Sequence, residues 1–244
     1  MNLIKTTSFE LAVNTRGGKN SERVVIMLPG KLDTKDYANF VSHQEYLAGK
    51  GFYTVAVDPP GTWESPGGIE LFTTTNYLKA VNELIEYYGN KPTLLLGHSR
   101  GGNVAILASV NPNVIGIILV MSSYEPPTPP KSVKDGVQIE HRDIPPGSER
   151  TKEQKEFALP IEYFKDGEKF DTLAVLKKCQ KPKLLFSGTD DRYYTPKEIE
   201  EIYESIPMPK MLHELNSDHG YRRHREIVEE VNKVIEGFID KYLN

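Results

Sequence analysis

Short apolar runs alternate along the chain with longer stretches of helical periodicity, and this alternation limits the possible fold more than any other feature. The runs that we predict as strands cover residues 23–28, 53–57, 93–96, 114–121, 183–187 and 211–215. Several of them, such as VVIML and IGIILVM, are apolar on both faces, as expected of central strands covered by helices on each side. Such strands, alternating with helices, predict a mostly parallel α/β sheet.

Two stretches repeat apolar residues at the spacing of helices that pack on a sheet. They comprise Tyr77, Leu78, Val81, Leu84, Ile85 and Tyr88 in the first, and Ile227, Val228, Val231, Val234, Ile235, Phe238 and Ile239 in the second. This periodicity predicts amphipathic helices near the middle and at the end of the chain.

Residues 122–159 interrupt the alternation. The segment is rich in proline and in charge, so a long helix is not expected there. The pair Asp135-Gly136 is a turn signal, and VQIEH after it alternates like a half-buried strand. We therefore predict a loop and hairpin, inserted into a single domain that spans residues 1–244 and covering its pocket.

The composition excludes several classes of protein. A formal net charge of −4 is unlike the basic charge of a nucleic-acid-binding domain. The longest apolar run, residues 114–121, is too short to cross a bilayer, and the first residues lack the apolar core of a signal peptide. The single cysteine, Cys179, excludes an internal disulfide framework. We expect a cytoplasmic protein that binds neither nucleic acid nor membranes; the sequence does not indicate its oligomeric state.

The segment TLLLGHSRGG, residues 93–102, places a serine between glycines where a predicted strand ends and a helix begins. Gly97, Ser99 and Gly101 stand at second-neighbour spacing. A sharp strand-to-helix turn holds such a serine in a strained conformation with its hydroxyl exposed, and glycine avoids clashes on either side. A dinucleotide- or phosphate-binding loop would need other glycine patterns, which are not present. Ser99 is therefore the candidate nucleophile.

A serine hydroxyl becomes a strong nucleophile only when a base removes its proton and an acid orients that base. In this architecture both groups should follow the serine, each just beyond a later strand. Asp190 and Asp191 come after the strand KLLFS, and His219 comes after MLHEL. His219 is the candidate base, and order and location allow either aspartate as the acid.

The segments VVIMLPGK, GFYTVAVDPPG, GHSRGG, LLFSGTDD and DHG resemble the α/β-hydrolase family, over nearly the whole chain. The resemblance implies an eight-stranded, mostly parallel sheet with helices on both faces and a small cap insertion at about residues 122–159. It also favours Asp191, because the family's acid stands three residues after the glycine, here Gly188. Pro196 stands one residue later than in the family pattern, so Asp190 stays an alternative.

The same resemblance implies that the backbone amides of Lys31 and Arg100 bind the oxyanion of the reaction. Trp63 is the only tryptophan and falls in a loop that borders the family's active site. It either lines the substrate pocket or fills a gap in the outer surface. His98, beside the nucleophile, is a further candidate pocket residue, with a structural role as its alternative.

These residues imply hydrolysis of carboxylic esters through an acyl-enzyme on Ser99. The charged insertion favours small to medium, soluble esters, and the segment after it is similar to small-cap esterases of the cinnamoyl/feruloyl type. Alternatives are a thioesterase, an acyltransferase, a non-hydrolytic receptor, and an aminopeptidase that binds the substrate amine through Glu125, Glu140 or Glu162. The chemistry needs no cofactor, and the sequence contains no metal-binding motif.

Overall fold

The protein is built on an eight-stranded sheet, seen in a computed structural model that describes residues 2–243. The strands of the chain are β1 (Asn2–Lys5), β2 (Glu10–Arg16), β3 (Val24–Leu28), β4 (Tyr53–Val57), β5 (Thr93–His98), β6 (Val114–Val120), β7 (Val137–Asp143), β8 (Gln154–Pro160), β9 (Lys183–Asp190) and β10 (Lys210–Asp218). Their order across the large sheet is β1-β2-β4-β3-β5-β6-β9-β10. The strands from β4 to β10 in that order are parallel, while β1 and β2 add an antiparallel edge. The predicted mostly parallel sheet is confirmed.

Helices cover both faces of this sheet. They are α1 (Ala38–Gly49), α2 (Thr74–Tyr87), α3 (Arg100–Ala108), α4 (Glu162–Gly167), α5 (Thr172–Lys178), α6 (Pro196–Ser205) and α7 (Arg225–Tyr242). The two helices predicted from apolar periodicity are α2 and α7. No helix in the part of the chain that the structure describes is long and apolar enough to span a bilayer.

Alternate residues of β3 supply two separate cores, one on each face of the sheet. Val24 and Ile26 belong to the cluster that contains residues of α2 and α3, whereas Val25 and Met27 belong to the cluster that contains residues of α1 and α7. Successive side chains of a strand point to opposite faces, so a strand between two helical layers must be apolar at every position. This explains the two-sided apolar runs of the sequence.

The predicted insertion contains β7 and β8, which form an antiparallel hairpin of their own. Pairing extends from Val137 opposite Pro160 to Asp143 opposite Gln154, so the second strand ends one residue beyond the predicted boundary. We call residues 137–160 the cap hairpin. It lies against the loop that follows β3, where the Tyr37 hydroxyl donates to the Asp143 carbonyl oxygen over 2.9 Å. The cap hairpin therefore covers the edge of the sheet at which the parallel strands have their carboxyl ends.

Candidate active site

Ser99 occupies a strained turn between β5 and α3. Its backbone has φ of +52° and ψ of −118°, a conformation that residues other than glycine avoid. The flanking glycines allow the turn to close: a Cβ on Gly101 would lie 1.9 Å from the Leu28 carbonyl oxygen, and one on Gly97 would lie 2.4 Å from the Gly101 backbone. The turn therefore holds the Ser99 side chain at the carboxyl edge of the sheet, half-buried.

The structure brings Ser99, His219 and Asp191 together. His219 directly follows β10, and its Nε2 atom lies 2.9 Å from Ser99 Oγ. Asp191 directly follows β9, and its carboxylate oxygens lie 2.9 and 3.1 Å from His219 Nδ1. Asp190 is exposed and pairs along the sheet with Asp218. Of the two candidate acids, Asp191 is therefore the one that contacts His219.

The electrostatic environment favours a neutral imidazole at His219. Burial lowers the pKa of His219 below its ordinary value of 6.5, although the hydrogen bond with the Asp191 carboxylate acts in the opposite direction. A neutral histidine whose Nδ1–H donates to a carboxylate presents an unprotonated Nε2 to its other neighbour. That neighbour is Ser99 Oγ, so the arrangement can accept the serine proton.

His98, predicted as a pocket residue with a structural role as its alternative, is buried next to this group. Its side chain is buried, and its Nε2–H donates to the backbone carbonyl oxygen of His219 over 3.1 Å. Its Nδ1 lies 3.5 Å from a carboxylate oxygen of Asp33. Burial would raise the pKa of Asp33, but the contact with His98 and nearby positive charges lower it to about 2. Both ring nitrogens of His98 are therefore engaged by protein groups, which is the structural alternative.

A β-turn at residues 30–33, which contains the Lys31 amide, lies next to the candidate nucleophile Ser99. The Asp33 N–H closes this turn by donating to the Gly30 carbonyl oxygen over 3.2 Å. A Cβ on Gly30 would lie 3.2 Å from the Ser99 Cβ, which shows how near the turn is to the serine. Across residues 2–243, neither the Lys31 amide nor the Arg100 amide has a protein acceptor. Their role as oxyanion donors stays a prediction, and the absence of a protein acceptor is consistent with it.

Trp63 joins the 30–33 turn to the cap hairpin. Its Nε1–H donates to the Leu32 carbonyl oxygen over 2.8 Å, and its ring meets Phe157 of β8 edge-on with centroids 5.6 Å apart. The residue itself has φ of +45°. Trp63 therefore packs against the cap hairpin, and both of its predicted roles, in the substrate pocket or in the outer surface, stay predictions.

Three residues near the site were not found from the sequence. The Tyr193 ring stands edge-on to the His219 ring with centroids 4.5 Å apart, and it is 55% exposed at the surface. Asp33 lies behind His98, and Arg142 of β7 donates from Nε to the Lys31 carbonyl oxygen over 3.0 Å. Tyr193 carried a weak signal, because it stands two residues after Asp191. Asp33 and Arg142 belong to no motif.

Three carboxylates could in principle hold a metal ion: those of Asp36, Asp58 and Glu64. The ammonium group of Lys35 lies among them, at 2.6, 3.3 and 2.5 Å respectively. Burial lowers the pKa of Lys35, but the surrounding carboxylates outweigh it and keep the ammonium charged well beyond its usual range. The lysine therefore supplies the cation that this group requires.

Comparison with known families matches both halves of the chain. The profile of the family described as alpha/beta hydrolase fold matches residues 23–139, which include the 30–33 turn and Ser99. A second profile, described as PhoPQ-activated pathogenicity-related protein, matches residues 148–242, which include Asp191 and His219.

One curated relative is the mitochondrial palmitoyl-protein thioesterase ABHD10 of Rattus norvegicus. It is 26% identical to this chain over 160 residues. The match covers 64% of this chain and 50% of the rat protein, so the chain spans about half the length of the curated relative that it matches.

Solved structures share the fold over almost the full length. Est1E from Butyrivibrio proteoclasticus with ferulic acid bound has a TM-score of 0.76 at 17% identity, covering 98% of this chain and 100% of that one. The alpha/beta hydrolase domain-containing protein 10 from mouse has a TM-score of 0.77 at 19% identity, covering 98% of each chain. At such identities the likeness concerns the fold alone, and the predicted α/β-hydrolase fold with a small cap insertion is confirmed.

Proposed function

We propose that this chain, whose fold is that of the α/β-hydrolases, is a serine hydrolase that cleaves carboxylic esters of small to medium, soluble substrates. The observation that carries this proposal is the hydrogen-bonded series from Asp191 through His219 to Ser99, with 2.9 Å at each link. A carboxylate, a histidine and a serine in this order make an activated nucleophile.

In the proposed reaction, Ser99 Oγ attacks the ester carbonyl carbon while His219 Nε2 takes the hydroxyl proton. Asp191 maintains the imidazole tautomer and stabilises the imidazolium that forms. The backbone amides of Lys31 and Arg100 donate to the oxyanion of the tetrahedral intermediate. His219 then protonates the leaving alcohol, and water repeats the same steps on the acyl-enzyme to release the acid and regenerate Ser99.

The charged residues of the cap hairpin support small, soluble substrates. Glu140 and Arg142 lie beside Lys31, with 2.6 Å between Lys31 Nζ and Glu140 and 2.9 Å between Arg142 and Glu140. A long acyl chain placed against these groups would remove water from them without offering new hydrogen bonds, which is unfavourable. Short or polar acyl groups avoid this cost.

The same contacts disfavour an aminopeptidase. Glu140, one of the three carboxylates considered for binding a substrate amine, is already engaged by Lys31 and Arg142. Burial would raise the pKa of Glu140, but those two cations outweigh it and hold the pKa below its usual value. Glu125 and Glu162 are both exposed.

A thioesterase is the second candidate, and the name of the rat relative, a palmitoyl-protein thioesterase, favours it. The proposed triad would attack a thioester carbonyl in the same way and release a thiol instead of an alcohol. Because only half of the rat protein is matched, its palmitoylated substrate is not transferred to this chain. The cytoplasmic location and the single-domain organisation stay predictions from the sequence.

The test combines covalent labelling with a matched substrate series. Wild-type protein and Ser99→Ala are treated with a fluorophosphonate probe and measured by intact mass and peptide mapping. Hydrolysis is then followed with p-nitrophenyl esters of increasing chain length and with thioesters of the same acyl groups.

We expect labelling at Ser99 in the wild type only, and faster turnover of short esters than of long esters or of matched thioesters. A well-folded wild type that is not labelled would contradict the serine-hydrolase proposal and favour the receptor alternative. Labelling accompanied by preferred cleavage of thioesters would replace the first candidate by the second.

A further inference from the structure

We propose that Arg142, in the first strand of the cap hairpin, is a positioning residue that holds the 30–33 turn in the conformation required for oxyanion binding. The inference rests on the proposed function, because it concerns the amide of Lys31 in that reaction. It assigns the cap hairpin a role beyond covering the site: it fixes part of the reaction machinery.

The 30–33 turn has a conformation that its own sequence does not favour. Leu32, its third residue, has φ of +60°, while the Asp33 N–H closes the turn on the Gly30 carbonyl. This is the geometry of a type II turn, in which the third position normally belongs to glycine or asparagine. A leucine there is strained, and its strain would be relieved if the peptide between Lys31 and Leu32 turned over to the type I orientation.

Arg142 binds the group whose direction distinguishes the two turn types. Its Nε–H donates to the Lys31 carbonyl oxygen over 3.0 Å, and that oxygen belongs to the central peptide of the turn. Two groups of the cap hairpin fix the guanidinium of Arg142. Its Nη1 lies 2.9 Å from a Glu140 carboxylate oxygen and donates to the His141 carbonyl oxygen over 2.8 Å. The arginine side chain is only 18% exposed, so the contact is not a loose surface pair.

Two further contacts on the same turn come from Glu140 of the cap hairpin and from Trp63, which packs against the hairpin. The Glu140 carboxylate that binds Arg142 also binds the Lys31 ammonium at 2.6 Å. The next carbonyl oxygen along the turn, that of Leu32, accepts from Trp63, which packs on Phe157 of the cap hairpin. The carbonyl oxygens of Lys31 and Leu32, on either side of the strained Leu32 backbone, therefore both accept hydrogen bonds. The first donor, Arg142, belongs to the cap hairpin, and the second, Trp63, packs against it.

The direction of the Lys31 amide depends on this arrangement. The Lys31 N–H shares a peptide plane with the Gly30 carbonyl, and that carbonyl is held by the Asp33 N–H that closes the turn. If the central peptide turns over, the closing hydrogen bond weakens and the Lys31 N–H loses its fixed direction. An oxyanion donor acts only when it is oriented before the reaction begins, so loss of orientation lowers the rate of the chemical step more than substrate binding.

The experiment compares Arg142→Gln with Arg150→Gln, the same substitution at an exposed arginine of the same hairpin. Hydrogen–deuterium exchange of a peptide that covers residues 30–33 measures the turn directly and needs no activity. Kinetics with a short p-nitrophenyl ester give kcat and KM, and affinity for a trifluoromethyl ketone, which forms an oxyanion on Ser99, reports on the oxyanion donors. Arg142→Ala is also measured with and without added ethylguanidinium.

We expect Arg142→Gln to speed exchange at the turn and to lower kcat about tenfold with little change in KM, since complete loss of one donor costs a hundredfold or more. Affinity for the ketone should fall by a similar factor, ethylguanidinium should restore part of the activity of Arg142→Ala, and Arg150→Gln should match the wild type. Unchanged exchange and unchanged kcat in Arg142→Gln would overturn the proposal, as would a loss of kcat that ethylguanidinium does not reverse.

The outcome also separates this inference from the proposed function. Faster exchange at the turn in Arg142→Gln, together with a wild type that no fluorophosphonate labels, would reject the hydrolase while leaving the role of Arg142 in the turn established. A labelled wild type, together with unchanged exchange at the turn in Arg142→Gln, would support the hydrolase and reject the role of Arg142 in the turn.

Discussion

The Nε2–H of His98 donates to the backbone carbonyl oxygen of His219 over 3.1 Å, so the residue that precedes the candidate nucleophile supports the backbone of the candidate base. The two imidazole rings lie with their centroids 5.0 Å apart. The end of β5 thereby supplies a support for the candidate base that follows β10, directly beside the candidate nucleophile.

Replacing His98 by phenylalanine tests this support. The variant keeps an aromatic ring but leaves a partly buried carbonyl oxygen without its donor, which should cost about 1 kcal/mol of folding free energy. We expect a lower melting temperature, and a kcat reduced roughly tenfold as His219 loses its fixed position. His141→Phe, at an exposed histidine of the cap hairpin, is the control. A folded His98→Phe protein with wild-type kcat would show that the contact is dispensable.

The pH dependence of activity follows from the burial of His219. The base must be neutral to accept the serine proton, and burial lowers its pKa below 6.5. Activity should therefore rise with pH in a single step whose midpoint lies below pH 6.5. Asp191 raises the pKa of His219, so in Asp191→Asn the midpoint should move lower still while kcat falls strongly. Profiles of kcat/KM between pH 4 and 8, which report the free enzyme, measure this, and a wild-type midpoint above 6.5 would contradict it.

Acid should destabilise the protein through His43, which is buried behind the site. Its Nδ1 lies 2.6 Å from Asn232 Oδ1, its Nε2 lies 2.9 Å from the Tyr221 hydroxyl, and burial lowers its pKa to about 4. Between pH 6.5 and 4, this histidine is protonated in the unfolded chain, where its pKa is ordinary, but stays neutral in the folded chain. The free energy of unfolding should therefore fall by about 3 kcal/mol as the pH drops from above 6.5 to below 4.

Urea unfolding at several pH values, with His43→Gln as the variant that cannot titrate, isolates this contribution. The variant should be less stable at pH 7 but should lose less stability between pH 7 and 4.5. The pKa of Asp33 is lowered to about 2, so its charged form also stabilises the fold. That stabilisation is lost mainly as the pH falls below about 4, the ordinary pKa of an aspartate, and thus below the compared pH range. Equal slopes in both proteins would exclude His43 as the cause.

Trp63 should report on the cap hairpin by fluorescence, because it is the only tryptophan in the chain and packs on Phe157. Phe157 is buried, so Phe157→Ala should cost on the order of 3 kcal/mol of stability. It should also admit water to the indole and shift its emission to longer wavelength. Thermal unfolding measures the loss of stability, and emission spectra measure the exposure of the indole. An unshifted spectrum would show that Trp63 stays covered even when the Phe157 ring is removed.

The central part of the fold could be predicted because its strands are buried on both faces. β4 has the bounds predicted for it, since YTVAV is buried throughout. β1 buries only Ile4, so it has no apolar run to detect, and β2 is half-buried and lies near the edge. β8 has the sequence QKEFALP, in which charge and a terminal proline conceal the two residues that it buries. Edge and cap strands depend on their neighbours more than on their own pattern.

The candidate site could be predicted where a residue directly follows a strand. Ser99, Asp191 and His219 all do, because parallel strands bring their carboxyl ends to one edge of the sheet. The choice between Asp190 and Asp191 depends on the orientation of the last residues of β9, which sequence alone does not define. Arg142 reaches Lys31 across 111 positions of sequence, and no local pattern encodes a contact of that kind.

The left-handed backbone of Ser99 places strain at the residue that is also the candidate nucleophile. Ser99→Gly and Ser99→Ala lose the same hydroxyl, but only glycine adopts φ of +52° without strain. The free energy of unfolding of the glycine variant should therefore be about 1 kcal/mol higher than that of the alanine variant. Thermal unfolding of the two variants would show that the strain at the candidate nucleophile is relieved by a residue that has no hydroxyl group.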